Sequence, residues 1–116
     1  MPVIKVWCLP ADEPEDRHRN LHQAIVAAAI GVTELGLKSE KDLTVLFPAD
    51  LMKYGLGEVI EVEIEMFEKP ERTPEVKKRF ATSVGRMIKL FYPNAVVGVG
   101  PVKTFDPEKD GFWSSE

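Results

Sequence analysis

The stretch from Glu58 to Phe67 alternates with a period of two. Ile60, Val62, Ile64 and Met66 hold the even positions and Glu61, Glu63 and Glu65 the odd ones. Successive side chains of a strand point to opposite faces of its sheet, so this pattern requires a strand with one dry and one wet face. A helix would scatter the same glutamates around its circumference. The pattern also has an echo earlier in the chain. Pro2-Val3-Ile4-Lys5-Val6 matches Glu58-Val59-Ile60-Glu61-Val62. Each copy is followed by a charged connector and then by Pro-Glu at a helix start, Pro14-Glu15 and Pro74-Glu75. Each helix leads to a short apolar run.

The chain is therefore a duplicated β-α-β unit, with halves of about 1–56 and 57–116 in a single domain. A crossover helix between two strands implies parallel pairing within each unit. Two such units side by side build an α+β two-layer sandwich, a four-stranded mixed sheet with both helices on one face. The other face is left bare, which favours an oligomer.

The first helix is expected from about Pro14 to Leu35. Leu21, Ile25, Ala28, Val32 and Leu35 recur at spacings of three and four, and Gly36 follows as a stop. Glu13, Glu15 and Asp16 gather at its positive end. Leu43 to Phe47 has strand composition, and Pro48 ends it. The second helix starts at Thr73-Pro74-Glu75, with Thr73 as N-cap, and carries Val76, Phe80, Val84, Met87 and Phe91 as its apolar stripe. Ala95 to Val99 reads as a last strand broken by Gly100-Pro101, followed by a tail from Val102 to Glu116.

Bulk properties narrow the function. The 116 residues are 44% apolar and 29% charged, with a net charge of −4. That balance is ordinary for a globular domain and argues against nucleic acid or an anionic membrane as partner. The longest apolar run, Ala24 to Val32, is too short to span a bilayer. One cysteine, Cys8, excludes a disulfide framework, and a cytoplasmic location is expected. Cys8 reads as a small buried hydrophobe or, as the sharper alternative, a reactive thiol.

The stretch Phe47-Pro48-Ala49-Asp50-Leu51-Met52-Lys53-Tyr54-Gly55 resembles the Pro-x-x-Leu-Met-x-Phe-Gly segment of the macrophage migration inhibitory factor branch of the tautomerase superfamily. Gly111-Phe112-Trp113 resembles that branch's Gly-Trp near the C-terminus, and Met1-Pro2 its start. The resemblance implies a homotrimer with sheets facing inward and a pocket around the N-terminal proline. It implies enol–keto tautomerisation of a small 2-oxo acid or a phenylpyruvate-like carboxylate, with no cofactor and no metal. The family's pocket lysine follows the glycine after the first helix; here Gly36 is followed by Leu37, and Lys38 comes one place later. Phe112 and Trp113 are placed by the resemblance near the pocket or the next subunit. Val97 and Val99 stand near positions where the family carries Tyr and Asn. That departure keeps open an alternative, a non-catalytic trimeric binding protein.

Pro2 is the candidate catalytic residue. If Met1 is removed, Pro2 offers a secondary amine, which a proton shuttle between carbon and oxygen needs as a base near working pH. An ordinary α-amine titrates near 8, and an apolar surround would lower that value. His18 and His22 share a helix face, but no third ligand stands at metal spacing, so a solvated face is expected. Glu61, Glu63 and Glu65 read as a wet sheet face or a subunit interface.

Overall fold

The computed structural model of the chain describes residues 2–115. Strand β1 (Val3–Trp7), helix α1 (Glu15–Ile30) and strand β2 (Thr44–Leu46) form the first unit. Strand β3 (Val59–Phe67), helix α2 (Pro74–Phe91) and strand β4 (Val96–Phe105) form the second. The sheet order is β2-β1-β3-β4. β1 runs parallel to β2 and β3 parallel to β4, while β1 and β3 meet antiparallel at the centre. The duplicated β-α-β sheet is therefore present as expected, with the two repeat strands as its middle pair.

The alternation of β3 sets the layers. Ile60, Val62, Ile64 and Met66 are buried with Ile4 and Val6 of β1, and Glu61, Glu63 and Glu65 are exposed. Leu21, Ile25, Val26 and Ala29 of α1 and Val76, Phe80, Val84 and Ile88 of α2 complete the core on the same side. The opposite face carries Val3, Lys5, Trp7 and the three glutamates, with the Trp7 indole N–H donating to Glu63 at 2.7 Å.

Two boundaries differ from the sequence expectation. Helix α1 stops at Ile30, not Leu35. Gly31 and the β-branched Val32 are poor helix residues, and Val32 leaves the helical region at φ −86°, ψ 88°. A 3₁₀ turn, Thr33–Leu35, then re-aims the chain and ends on Gly36 in the left-handed region at φ 71°. Val32 and Leu35 are still buried, so their spacing reported burial but not helix. Strand β4 does not break at Gly100-Pro101. It continues to Phe105, with Gly100 and Pro101, joined by a cis peptide bond, standing opposite the single Glu63 where the register shifts. Proline is tolerated there because β4 is an edge strand and the extra residue forms a bulge.

Candidate functional site

Pro2 precedes β1 and is buried, with less than 2% of its surface exposed. Its carbonyl accepts the backbone N–H of Thr44 at 2.9 Å, which fixes it beside the start of β2. It lines a cavity of about 360 Å³ together with Leu35, Gly36, Leu37, Lys41, Asp42, Lys69 and Arg72. Met1, on whose removal a free Pro2 amine depends, lies outside the described residues.

The topology explains this grouping. Antiparallel pairing sets Val3 opposite Glu65 and brings the end of β3 to the start of β1. The connector 68–72 therefore emerges next to Pro2. Its chain turns through a bond from Arg72 N–H to Lys69 carbonyl at 2.9 Å. On the other side, the 3₁₀ turn after α1 and a second one, Glu40–Asp42, bring in Leu35 to Leu37 and Lys41–Asp42.

Charge in the cavity is uneven. Asp42 is the one carboxylate in the lining. It accepts the backbone N–H groups of Lys38 at 2.7 Å and Ser39 at 3.2 Å, and these bonds hold its pKa below the usual carboxylate value. Among the described residues, none of Lys41, Lys69 and Arg72 makes a close ion pair with a carboxylate. Arg72 is only 6% exposed. It donates to the carbonyls of Phe67 at 2.7 Å and Leu35 at 3.4 Å, while its Nε is buried without a partner. Burial lowers its pKa, opposed by the charge of Glu71, but a guanidinium stays protonated. Three cations around one engaged carboxylate make a place for a small anion.

The other candidates lie elsewhere. Lys38 is exposed and reaches the site through its backbone bond to Asp42, while its neighbour Lys41 lines the cavity. Phe112 lines a separate cavity of about 330 Å³ on the bare sheet face, with Val3, Lys5, Glu63, Glu65, Phe67 and Phe105. Its ring packs on those of Phe67 and Phe105 at centroid distances of 5.1 and 5.8 Å. Trp113 is 83% exposed. Within one chain, neither aromatic joins the Pro2 cavity. His18 and His22 flank the Phe47 ring at 6.0 and 6.2 Å, and His18 Nε2 lies 3.1 Å from the Pro10 carbonyl. Among the described residues no group of three His, Cys, Asp or Glu could hold a metal ion. The Cys8 thiol is only partly buried, and burial and then Asp50 push its pKa above the ordinary value.

Sequence reasoning passed over Arg72, Lys69, Lys41 and Asp42. A signal existed. Once the two repeat strands are paired antiparallel, the charged connector after Phe67 must fall beside Pro2.

Solved structures share this architecture, three of them as follows. A malonate semialdehyde decarboxylase, described with decarboxylase and hydratase activities, superposes with a TM-score of 0.62 at 16% identity, over 98% of this chain and 90% of its own. The chain shares its duplicated β-α-β fold. A fused 4-OT, a symmetric trimer, matches at TM-score 0.65 and 10% identity, over 91% of this chain and 89% of its own. A macrophage migration inhibitory factor-like protein from Entamoeba histolytica matches at TM-score 0.63 and 10% identity, over 99% and 95%. No protein-family model matches the sequence, and neither does any curated protein sequence. The same duplicated β-α-β fold thus occurs in an enzyme, a trimeric fused protein and a factor-like protein alike.

Proposed function

We propose that the chain is a tautomerase-like isomerase in which Pro2, freed by removal of Met1, moves a proton between the carbon and the oxygen of a small 2-oxo acid or a phenylpyruvate-like carboxylate. The observation that carries this reading is the seat of Pro2: buried, in a small cavity, among three cations that form no close ion pair with a carboxylate among the described residues. Burial and neighbouring positive charge both disfavour the ammonium form of an amine. A neutral Pro2 nitrogen takes the enol hydroxyl proton and delivers it to the α-carbon, leaving the ketone. No electron is gained or lost. The cations hold the substrate carboxylate and stabilise the enolate that forms between the two transfers. The malonate semialdehyde decarboxylase was solved with a variant replacing its first-position proline by alanine, which supports looking for chemistry at this end of the fold.

The assembly we propose is a homotrimer, by analogy with the trimeric fused 4-OT. The bare sheet faces would meet in it, and the exposed Phe112-Trp113 tail would approach a neighbouring pocket. Lys38 would stand at the rim of its own. The alternative is a trimeric protein that binds an anion in the same cavity without turnover, a reading favoured by the apolar Val97 and Val99 in β4.

Ketonisation of phenylenolpyruvate by the Met1-free protein and by its Pro2→Ala variant tests the proposal. A base of this kind contributes roughly 10²–10⁴-fold, so the variant should lose at least about a hundredfold in kcat/KM. Equal rates would remove Pro2 from the chemistry and leave the binding alternative.

A further inference from the structure

The bare sheet face carries an odd charge. Three carboxylates stand on it, Glu61, Glu63 and Glu65 of β3, against two lysines, Lys5 of β1 and Lys103 of β4. Residues directly opposite in a ladder share a face, and the register distributes the lysines. Lys5 stands opposite Glu63, and Lys103 opposite Glu65. Glu61 has Trp7 on one side and Gly98 on the other. It is the one carboxylate of the three with no cation across from it. Among the described residues it makes no close ion pair. Gly98 shows where this carboxylate goes. A Cβ on Gly98 would lie 3.3 Å from Glu61 Oε2, so the Glu61 side chain lies over β4, in space that a side chain at 98 would fill. β4 is the outermost strand on this side of the sheet. The charge is thus carried to an open edge, where a second chain can approach. Covered there without a counter-ion, it would oppose the contact.

We infer that the β4 edge docks against the β2 edge of a second copy of this chain, and that Lys53 of that copy is the counter-ion of Glu61. The inference rests on the homotrimer reading and names the charges that join its subunits. In a closed ring each chain presents two different surfaces, one to each neighbour. The sheet offers two, β4 at one edge and β2 at the other. β2 ends at Leu46, level with Lys5 and therefore with Glu63. The chain runs on from there towards the level of Glu61, and Lys53 is the first cation it reaches. Lys53 is exposed, held in the left-handed region at φ 55°, and makes no close ion pair among the described residues. Lys41, the cation just before β2, belongs to the opposite end of that strand. The flexible stem of Lys53 lets its ammonium follow the carboxylate.

The test is a charge swap read by sedimentation equilibrium at low ionic strength, where screening is weakest. Glu61→Lys and Lys53→Glu each set like charges face to face and should raise the trimer dissociation constant at least about tenfold. The double variant restores opposite charges and should return to within about threefold of wild type. Each variant is checked for a cooperative thermal transition. Should a reversal not fold, Glu61→Gln and Lys53→Met take its place. Each of these leaves one charge unpaired and should weaken the trimer about threefold or more; combined, they should be no weaker than either alone. Single variants that assemble like wild type, a double variant weaker than either single, or a trimer tightened by Glu61→Gln overturns the inference. A wild-type chain that sediments as a monomer or a dimer defeats the trimer reading as well, whereas a trimer indifferent to the swap defeats only the pairing of Glu61 with Lys53.

Discussion

Gly55 faces Cys8 so closely that a Cβ on it would lie 2.3 Å from Cys8 Cβ and 2.6 Å from the Val59 carbonyl. Neither neighbour can yield: Cys8 is itself held at φ 72°, and the carbonyl is backbone. Gly55→Ala should cost about 3 kcal/mol, read as a lower urea midpoint with an unchanged m-value. Tyr92 makes a different kind of claim. Its hydroxyl donates to Glu13 at 2.8 Å, and the Arg17 guanidinium sits 4.9 Å above its ring. Burial first, then the bond to Glu13, pushes its pKa from 10.0 up to about 12. The neutral phenol is therefore favoured by the fold. Its contribution is complete below pH 10 and is lost as pH rises towards about 12, because the unfolded chain ionises first. Thermal melts between these pH values should fall more steeply for wild type than for Tyr92→Phe. In the neutral range Tyr92→Phe should cost about 1 kcal/mol for the hydrogen bond. Neither the Gly55 contact nor the Tyr92–Glu13 bond was legible in sequence, since their partners lie 47 and 79 positions away.

At the level of elements, local chemistry was a good guide wherever it agreed with burial. Helix α2 runs from Pro74 to Phe91 with Thr73 as N-cap, its hydroxyl accepting the Val76 N–H at 3.3 Å. All of this is written in Thr73-Pro74-Glu75 and the stripe that follows. Thr73→Ala should cost about 1 kcal/mol in equilibrium unfolding. Because Thr73 adjoins Arg72, the same change should loosen the wall of the Pro2 cavity. Where local signals competed, the sequence misled. The stripe through Val32 and Leu35 continued a helical spacing that Gly31 and Val32 had already ended. Gly100-Pro101 looked like a stop, yet at a sheet edge opposite Glu63 it is absorbed as a bulge.

At the scale of the molecule, the helices cover one sheet face and leave the other with Val3, Lys5, Trp7 and three glutamates. The loop after β2 adds Leu51, Met52, Tyr54 and Leu56 with between 66% and 89% of each exposed. A monomer would show all of this surface to water. Light scattering should therefore return three times the 13.0 kDa chain mass at micromolar concentration. A mass of one or two chains would exclude the trimer and, with it, any role of Phe112 and Trp113 at a neighbour's pocket.

The sequence by itself determined the repeat, the strand with one wet face, the two amphipathic helices and the proline at the head of the first copy. These follow from periodicity and short-range sterics, which act within a turn or two of chain. Only the tertiary structure decided what surrounds that proline. Antiparallel pairing of the two copies carries Lys69 and Arg72 to it, and the turn after α1 carries Leu35 and Gly36. Those contacts join residues far apart in the chain, and no pattern along the chain encodes a distance through space. The same packing buried Arg72 with no close ion pair among the described residues. A stretch that read only as a charged connector thus became the wall of the candidate site.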